Sequence, residues 1–270
     1  MTAVTTFRPL LVGTHRYDKS LSTRGRGAGT IIEAPVLAYL IETTQGRILY
    51  DVGCDHRKLT DPRLRARFYE SPSFAFGPPQ VSEEQRLPNR LAQLGLSPRD
   101  IDCVICSHLH FDHAGGLHEF AHCDVHVHER ELAAARELAD DAYFASDFRA
   151  DGDAEGGPGH APHWRVQPRE YALVEGVHAV ESPGHTAGHL SLLVTLPQGA
   201  PILLCGDAAD LQENLDDEVA PGLCQGDRAA TAIASIRKLK QIAADTGGEA
   251  WPNHDMPFFL AKDRFPGYYR

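Results

Sequence analysis

The sequence predicts an α/β fold with two β-sheets packed face to face and helices on the outside. Three observations lead there. Short apolar runs of strand character recur, tight turn-like links join two pairs of them, and helix-forming stretches lie between and after. The alternation falls into two similar halves, roughly 30–125 and 165–255, and residues 1–270 are expected to form one domain.

In chain order, the runs VLAYLIE (36–42) and RILYDVG (47–53) are joined by TTQG (43–46), which reads as a hairpin. DCVICS (102–107), DVHVH (124–128) and VHAVES (177–182) follow. LSLLVTL (190–196) and PILLCGD (201–207) are joined by PQGA (197–200), a second hairpin. Ser82 with Gln85 forms a capping-box pattern ahead of Leu87, Leu91 and Leu94, and Pro88 requires that helix to start near Leu87 or to kink. ERELAAARELA (129–139) is rich in helix formers. Over 227–246, Ile233, Ile236, Leu239 and Ala243 share one face, with Asp227 as N-cap and Gly247-Gly248 as stop. Residues 13–30 and 140–165 read as irregular. GRGAG (25–29) is followed by a strand rather than a helix N-terminus, which argues against a nucleotide loop.

The net charge is -11, from 26 Lys plus Arg against 37 Asp plus Glu, which disfavours nucleic acid and anionic membranes as partners. The N-terminal MTAVTTFRPLLVG lacks a secretory pattern, and no apolar run reaches the length of a membrane span, so a cytoplasmic protein is expected. The six cysteines are scattered. Cys103 and Cys106 lie three apart on an expected strand, so they point to opposite faces and do not chelate together.

The chemistry concentrates in SHLHFDHAGG (107–116), directly after the strand DCVICS. His108 and His110 are two apart, so an extended backbone turns both imidazoles to one side. A bend after them offers Asp112 and His113 to a second ion, with Gly115-Gly116 as a tight exit. His185 (SPGHTAGH), Asp207 (GDA) and His254 (NHD) each follow a strand-like run. These seven nitrogen and oxygen donors exceed what one tetrahedral ion needs and suggest two ions, with Asp207 able to bridge them.

HLHFDHAGG, followed by SPGHTAGH, GDA and NHD, resembles the metallo-β-lactamase superfamily. PVLAYLIETTQGRILYDVG, ENLDDEV, SIRKLKQI and the ending HD…FPGYY are similar to its N-acyl-homoserine lactone lactonase branch, known for quorum quenching. The resemblance implies an αββα sandwich with a dinuclear site. His108, His110 and His185 would hold the first ion, Asp112, His113 and His254 the second, and Asp207 would bridge. Family members usually hold two zinc ions, and the same donors accept iron, cobalt or manganese. The implied reaction is attack of a metal-bridging hydroxide on a lactone carbonyl, with Asp112 passing a proton to the leaving alkoxide. A small lactone is the expected partner, and a homodimer the assembly to consider. A lactonase or esterase for another lactone, or a glyoxalase-II-like thioesterase, is the alternative.

One position departs from the pattern. Where the best-known lactonases carry a carbonyl-contacting tyrosine, this chain has Asp210, and an ionised aspartate donates no hydrogen bond. Tyr143, Phe144, Phe148 and Trp164, with Phe111 and residues 13–30, are expected to wall the acyl groove. His118, His122, His126, His128 and His189 are expected to be structural or supporting, and His160 and His163 lie in the irregular stretch.

Overall fold

The protein was described from a computed structural model, which covers residues 2–71, 74, 76–149 and 162–270. The first sheet runs in the order β1 (Val4–Asp18), β2 (Ile31–Thr43), β3 (Gly46–Tyr50), β4 (Cys103–Ile105), β5 (Asp124–His128) and β6 (His163–Gln167). The second pairs β11 (Glu249–Trp251), β10 (Ile202–Leu204), β9 (Leu190–Val194), β8 (Val177–Glu181) and β7 (Tyr171–Val174). Both expected hairpins are present, as the antiparallel pairs β2–β3 and β9–β10.

Alternation along the strands builds the layers. In β2, Val36, Ala38 and Leu40 face one core, while Leu37, Tyr39 and Ile41 face another. The second set meets Ala179, Leu192, Ile202 and Trp251 of the other sheet, which makes the sheet-on-sheet centre. The first set is covered by α3 (Leu87–Gln93) through Leu87 and Leu91 and by α5 (Glu129–Glu137) through Leu132 and Ala135. On the far side, α8 (Ala229–Thr246) lays Ile236, Leu239 and Ala243 against Leu203 and Cys205. This is the expected αββα sandwich. Cys103 packs in the central core and Cys106 in the outer one, on opposite faces of the sheet, and all six cysteines are free.

Several local expectations are corrected. Residues 13–18 are not irregular but complete the long strand β1, whose Pro9 is tolerated because β1 lies at the sheet edge. The capping box of Ser82 and Gln85 closes a single 3-10 turn, and the helix starts separately at Leu87 with Pro88 in its first turn. Asp227 is not the cap of α8. It sits in a 3-10 turn with φ 55, and Arg228 occupies the cap position. Ile233 of that helix is only half-buried, and Ala232 and Ser235 complete the packed face. Within 140–165, α6 (Ala145–Phe148) and β6 are regular, and residues 150–161, including His160, lie outside the described residues. Short helices also occur at α1 (His56–Thr60), α2 (Pro62–Phe68), α4 (Phe111–Ala114), α7 (Gln212–Asp217) and α9 (Met256–Lys262). No helix among the described residues is long and apolar enough to cross a membrane.

Candidate metal centre

Four strand ends aim at one edge of the sandwich. Chain leaving β4 carries His108 and His110 on an extended segment, then enters α4, whose first turn carries Asp112 and His113. The loop after β8 carries His185, the turn after β10 carries Asp207, and the loop after β11 carries His254. β10 and β11 are parallel, with Leu204 opposite Trp251, so Asp207 and His254 leave the sheet on the same side. All seven side chains are buried.

Gly115 and Gly116 do their work by size rather than by unusual angles. Gly115 has φ -58, and a Cβ there would lie 2.5 Å from the Asp55 nitrogen. One on Gly116 would lie 2.4 Å from the Val52 carbonyl oxygen. The pair lets the ligand loop press against the chain after β3.

The donors fall into two groups that meet at Asp207. His108, His110 and His185 form one group, with His185 Nε2 3.1 Å from His110 Nδ1. Asp112, His113 and His254 form another, with Asp112 Oδ2 3.7 Å from His113 Nε2 and 3.9 Å from His254 Nε2. Asp207 turns Oδ2 to the first group, 3.8 Å from His108 Nε2 and 3.5 Å from His185 Nε2. It turns Oδ1 to the second, 3.3 Å from His113 Nε2 and 3.1 Å from His254 Nε2. Ligands bound about 2.0–2.2 Å from a shared tetrahedral ion stand about 3.4 Å apart, so these spacings fit. Nε2 of His108 and of His113 are buried and have no hydrogen-bond partner. Two buried lone pairs left facing a cluster of nitrogen and carboxylate donors suit cations.

The electrostatics agree. Burial opposes ionisation of Asp207, yet His113, His254 and His108 together hold its carboxyl well below the ordinary range. Burial opposes charge on His254 as well, but Asp207 lifts it to about 10. Burial, followed by the neighbouring His113 and His110, pushes His108 far below its ordinary value. Burial dominates at His185, which falls to about 4.

Residues 31–252 match the profile of the Metallo-beta-lactamase superfamily. The chain belongs to this superfamily. An N-acyl homoserine lactonase of Bacillus sp is 31% identical to it over 241 residues, 89% of each protein. An N-acyl homoserine lactonase of Agrobacterium fabrum is 36% identical over 187 residues, 66% of this chain and 64% of that protein. The solved structure of an N-acyl homoserine lactone hydrolase holds the product N-hexanoyl-L-homoserine at its catalytic metal center. It superposes with a TM-score of 0.84 at 29% identity, covering 100% of both chains.

In this metallo-β-lactamase chain each candidate histidine is held by its other ring nitrogen. His113 Nδ1 is 2.9 Å from Asp51 Oδ2, His108 Nδ1 2.9 Å from Ser107 Oγ, and His110 Nε2 3.3 Å from Asp140 Oδ2. His185 Nδ1 meets the Leu223 carbonyl at 3.0 Å, and His254 Nδ1 the Pro35 carbonyl at 2.9 Å. Such partners fix the ring and its tautomer. His189 supports the centre as expected, with Nε2 accepting from the Asp207 amide at 2.9 Å. His126 stacks on Tyr171 and His128 pairs with Glu181, both away from the centre.

Asp51 and Asp140 were not singled out from sequence. Asp51 had a signal: it ends the apolar run RILY as Asp207 ends ILLCG. Asp140 sits in an acidic turn with no pattern of its own. The expected groove wall is also corrected. Tyr143, Phe144 and Phe148 are buried in packed clusters, and Trp164 packs against the outer core. An open pocket beside the centre is walled, as expected, by Phe111 and by Tyr17 and Leu21 of residues 13–30, with Phe76, Ala142 and Leu223 in place of the other aromatics. Asp210 lines it too, and burial and then the Asp207 carboxylate push its acid up to about 8.

Proposed function

We propose that this chain is a metal-dependent hydrolase that opens the ring of N-acyl-homoserine lactones. One observation carries the reading: the same pocket is lined both by apolar Leu21, Phe76, Phe111, Ala142 and Leu223 and by Asp112, Asp207, His110, His185 and His254. An acyl chain suits the apolar wall, and an ester carbonyl suits the polar floor. The lactonases of Bacillus sp and Agrobacterium fabrum, and the product-bound hydrolase structure, support the same substrate class.

His108, His110 and His185 would hold one divalent cation, Asp112, His113 and His254 a second, and Asp207 would touch both. Zinc suits the donors, with iron, cobalt or manganese as substitutes. Bound there, two such ions supply Lewis acidity and lower the pKa of water from about 15.7 towards 7. The rest falls to the chain. Leu21, Phe76, Phe111 and Leu223 exclude water from the acyl chain. Asp112 lines the cavity while contacting the His113 group, so its carboxylate can take the proton of the attacking water. Water oxygen bonds to the carbonyl carbon, the ring C–O bond breaks, and Asp112 returns the proton to the leaving alkoxide. The product is an N-acyl homoserine, released with one proton to solvent at neutral pH. Six free cysteines support work in a reducing compartment such as the cytoplasm.

A pH-stat assay tests this on metal-loaded protein with short- and long-chain N-acyl-homoserine lactones, other lactones, thioesters and β-lactams. Acid release with the homoserine lactones is expected. No ring opening of these, with clear turnover of another lactone or a thioester, would replace the reading.

A further inference from the structure

We infer that Asp210 is an eighth metal ligand, belonging to the cation held by Asp112, His113 and His254. The inference rests on the metal reading proposed above and adds a residue to it.

Asp210 is 5% exposed, and its Oδ1 is buried without any hydrogen-bond partner. A buried carboxylate oxygen with nothing to accept from is unfavourable unless a cation meets it. The carboxylate faces the right place for one. One ligand atom each from Asp207, Asp210 and His254 lie within 4.8 Å of one another. Among the described residues, no lysine or arginine lines the pocket that Asp210 borders, although Asp112 and Asp207 border it as well. Three carboxylates converging without a lysine or arginine ask for a divalent ion.

The backbone fixes this arrangement. The His254 amide donates to the Asp210 carbonyl at 2.8 Å, and the Asn253 amide to the Ala209 carbonyl at 3.1 Å. The two loops after β10 and β11 are therefore zipped together past the end of the sheet, and Asp210 cannot drift from His254. The Ser22 hydroxyl lies against the same carboxylate, and Tyr17 Oη braces Ser22 Oγ at 2.9 Å.

With Asp210 included, the two cations would have unlike surroundings. The first would keep three imidazoles and a shared carboxylate. The second would have two imidazoles and three carboxylates, counting Asp207. Oxygen-rich sets favour harder ions such as manganese over zinc. The chain would then load zinc at the first position and accept manganese or iron more readily at the second.

The test uses metal-depleted full-length protein, refilled with cobalt or with manganese and zinc together. The first readouts are bound metal per chain, affinity by chelator competition and the visible spectrum of the cobalt form. Asp210→Ala should weaken the second cobalt or manganese ion by at least about tenfold while leaving the first ion in place, and its cobalt spectrum should change towards lower coordination. The same-shaped Asp210→Asn, whose neutral amide oxygen still coordinates, should weaken that ion less and keep its coordination number. Unchanged affinity and spectrum in both variants, with two ions bound, would overturn the assignment. A raised KM for the lactone with both ions unaltered would overturn it too, giving the carboxylate to the substrate. If the wild-type protein itself never binds more than one ion, the dinuclear reading fails and this inference with it. Circular dichroism of Asp210→Asn separates loss of metal from loss of fold.

Discussion

Asp51 accepts from His113 Nδ1 at 2.9 Å, from deep inside the sandwich, where both side chains are almost fully enclosed. The same carboxylate takes the Ser107 amide and hydroxyl at 2.7 Å each, and Ser107 Oγ in turn meets His108 Nδ1. One buried acid therefore sets the tautomers of two histidines, leaving both Nε2 atoms free to face the centre. Asp51→Asn keeps the shape but puts an amide against donors. Metal affinity should fall about 10–100-fold. Competition with a fluorescent chelator measures it, and an unchanged affinity would show the network to be dispensable.

Asp112→Asn separates coordination from proton transfer. An amide oxygen still binds a cation but carries no proton at neutral pH. The expected result is near-complete loss of turnover, about 10²–10⁴-fold, with most of the metal retained. Wild-type rates with two ions bound would remove Asp112 from the proton path.

Glu131 is a tie between the two halves. It is fully buried and accepts from Leu109 N at 3.0 Å and Tyr143 Oη at 2.8 Å. Its other oxygen accepts from Thr186 Oγ1 at 2.6 Å and Gly188 N at 3.2 Å. It thus joins the segment carrying His108 and His110 to the one carrying His185. Glu131→Ala would leave these donors unanswered and should cost about 3–5 kcal/mol in urea unfolding. A loss under about 1 kcal/mol would mean that water replaces the carboxylate.

Lys58 and Asp147 form a buried ion pair under the aromatic cluster, with Lys58 Nζ 4.5 Å from the Phe68 ring centre. Lys58→Met strands Asp147 and should cost about 3–5 kcal/mol at pH 7, while Lys58→Met with Asp147→Leu should recover most of it. Burial lifts Asp147 to about 6 even beside the lysine. The folded protein therefore holds that proton more tightly than the unfolded chain, whose carboxyl titrates near about 3.9. This group's contribution to stability is greatest at low pH and declines as pH rises through about 6. The penalty of Lys58→Met relative to wild type should accordingly shrink between pH 7 and 5. A penalty independent of pH would show that Asp147 stays ionised.

The layers and the clustered ligands were legible because both rest on short-range rules. Period-two alternation in VLAYLIE and the one-residue gap between His108 and His110 are local patterns. What escaped notice depends on distant partners. β1 is broken in sequence by Arg8, Pro9 and Gly13, and it is a strand because β2 pairs along its whole length. β6 shows no apolar alternation, since its mostly exposed side chains hang from the opposite sheet edge. The pocket walls were only partly legible for a related reason. Phe111 and residues 13–30 line the pocket as expected, but aromatic residues such as Phe144 turn inward to pack on Tyr69 and Phe74, and Phe76, Ala142 and Leu223 take their place.

The two faces of Asp207 have a consequence for loading. Its Oδ2 serves the His108 and His185 side and its Oδ1 the His113 and His254 side. With two cations held as proposed, a single negative charge would answer to both, so their arrivals would not be independent events. The first to settle would orient the carboxylate for the second and spend part of its attraction. Occupancy under metal starvation would then follow a stepwise isotherm, in which half-filled molecules form a distinct population instead of a statistical mixture.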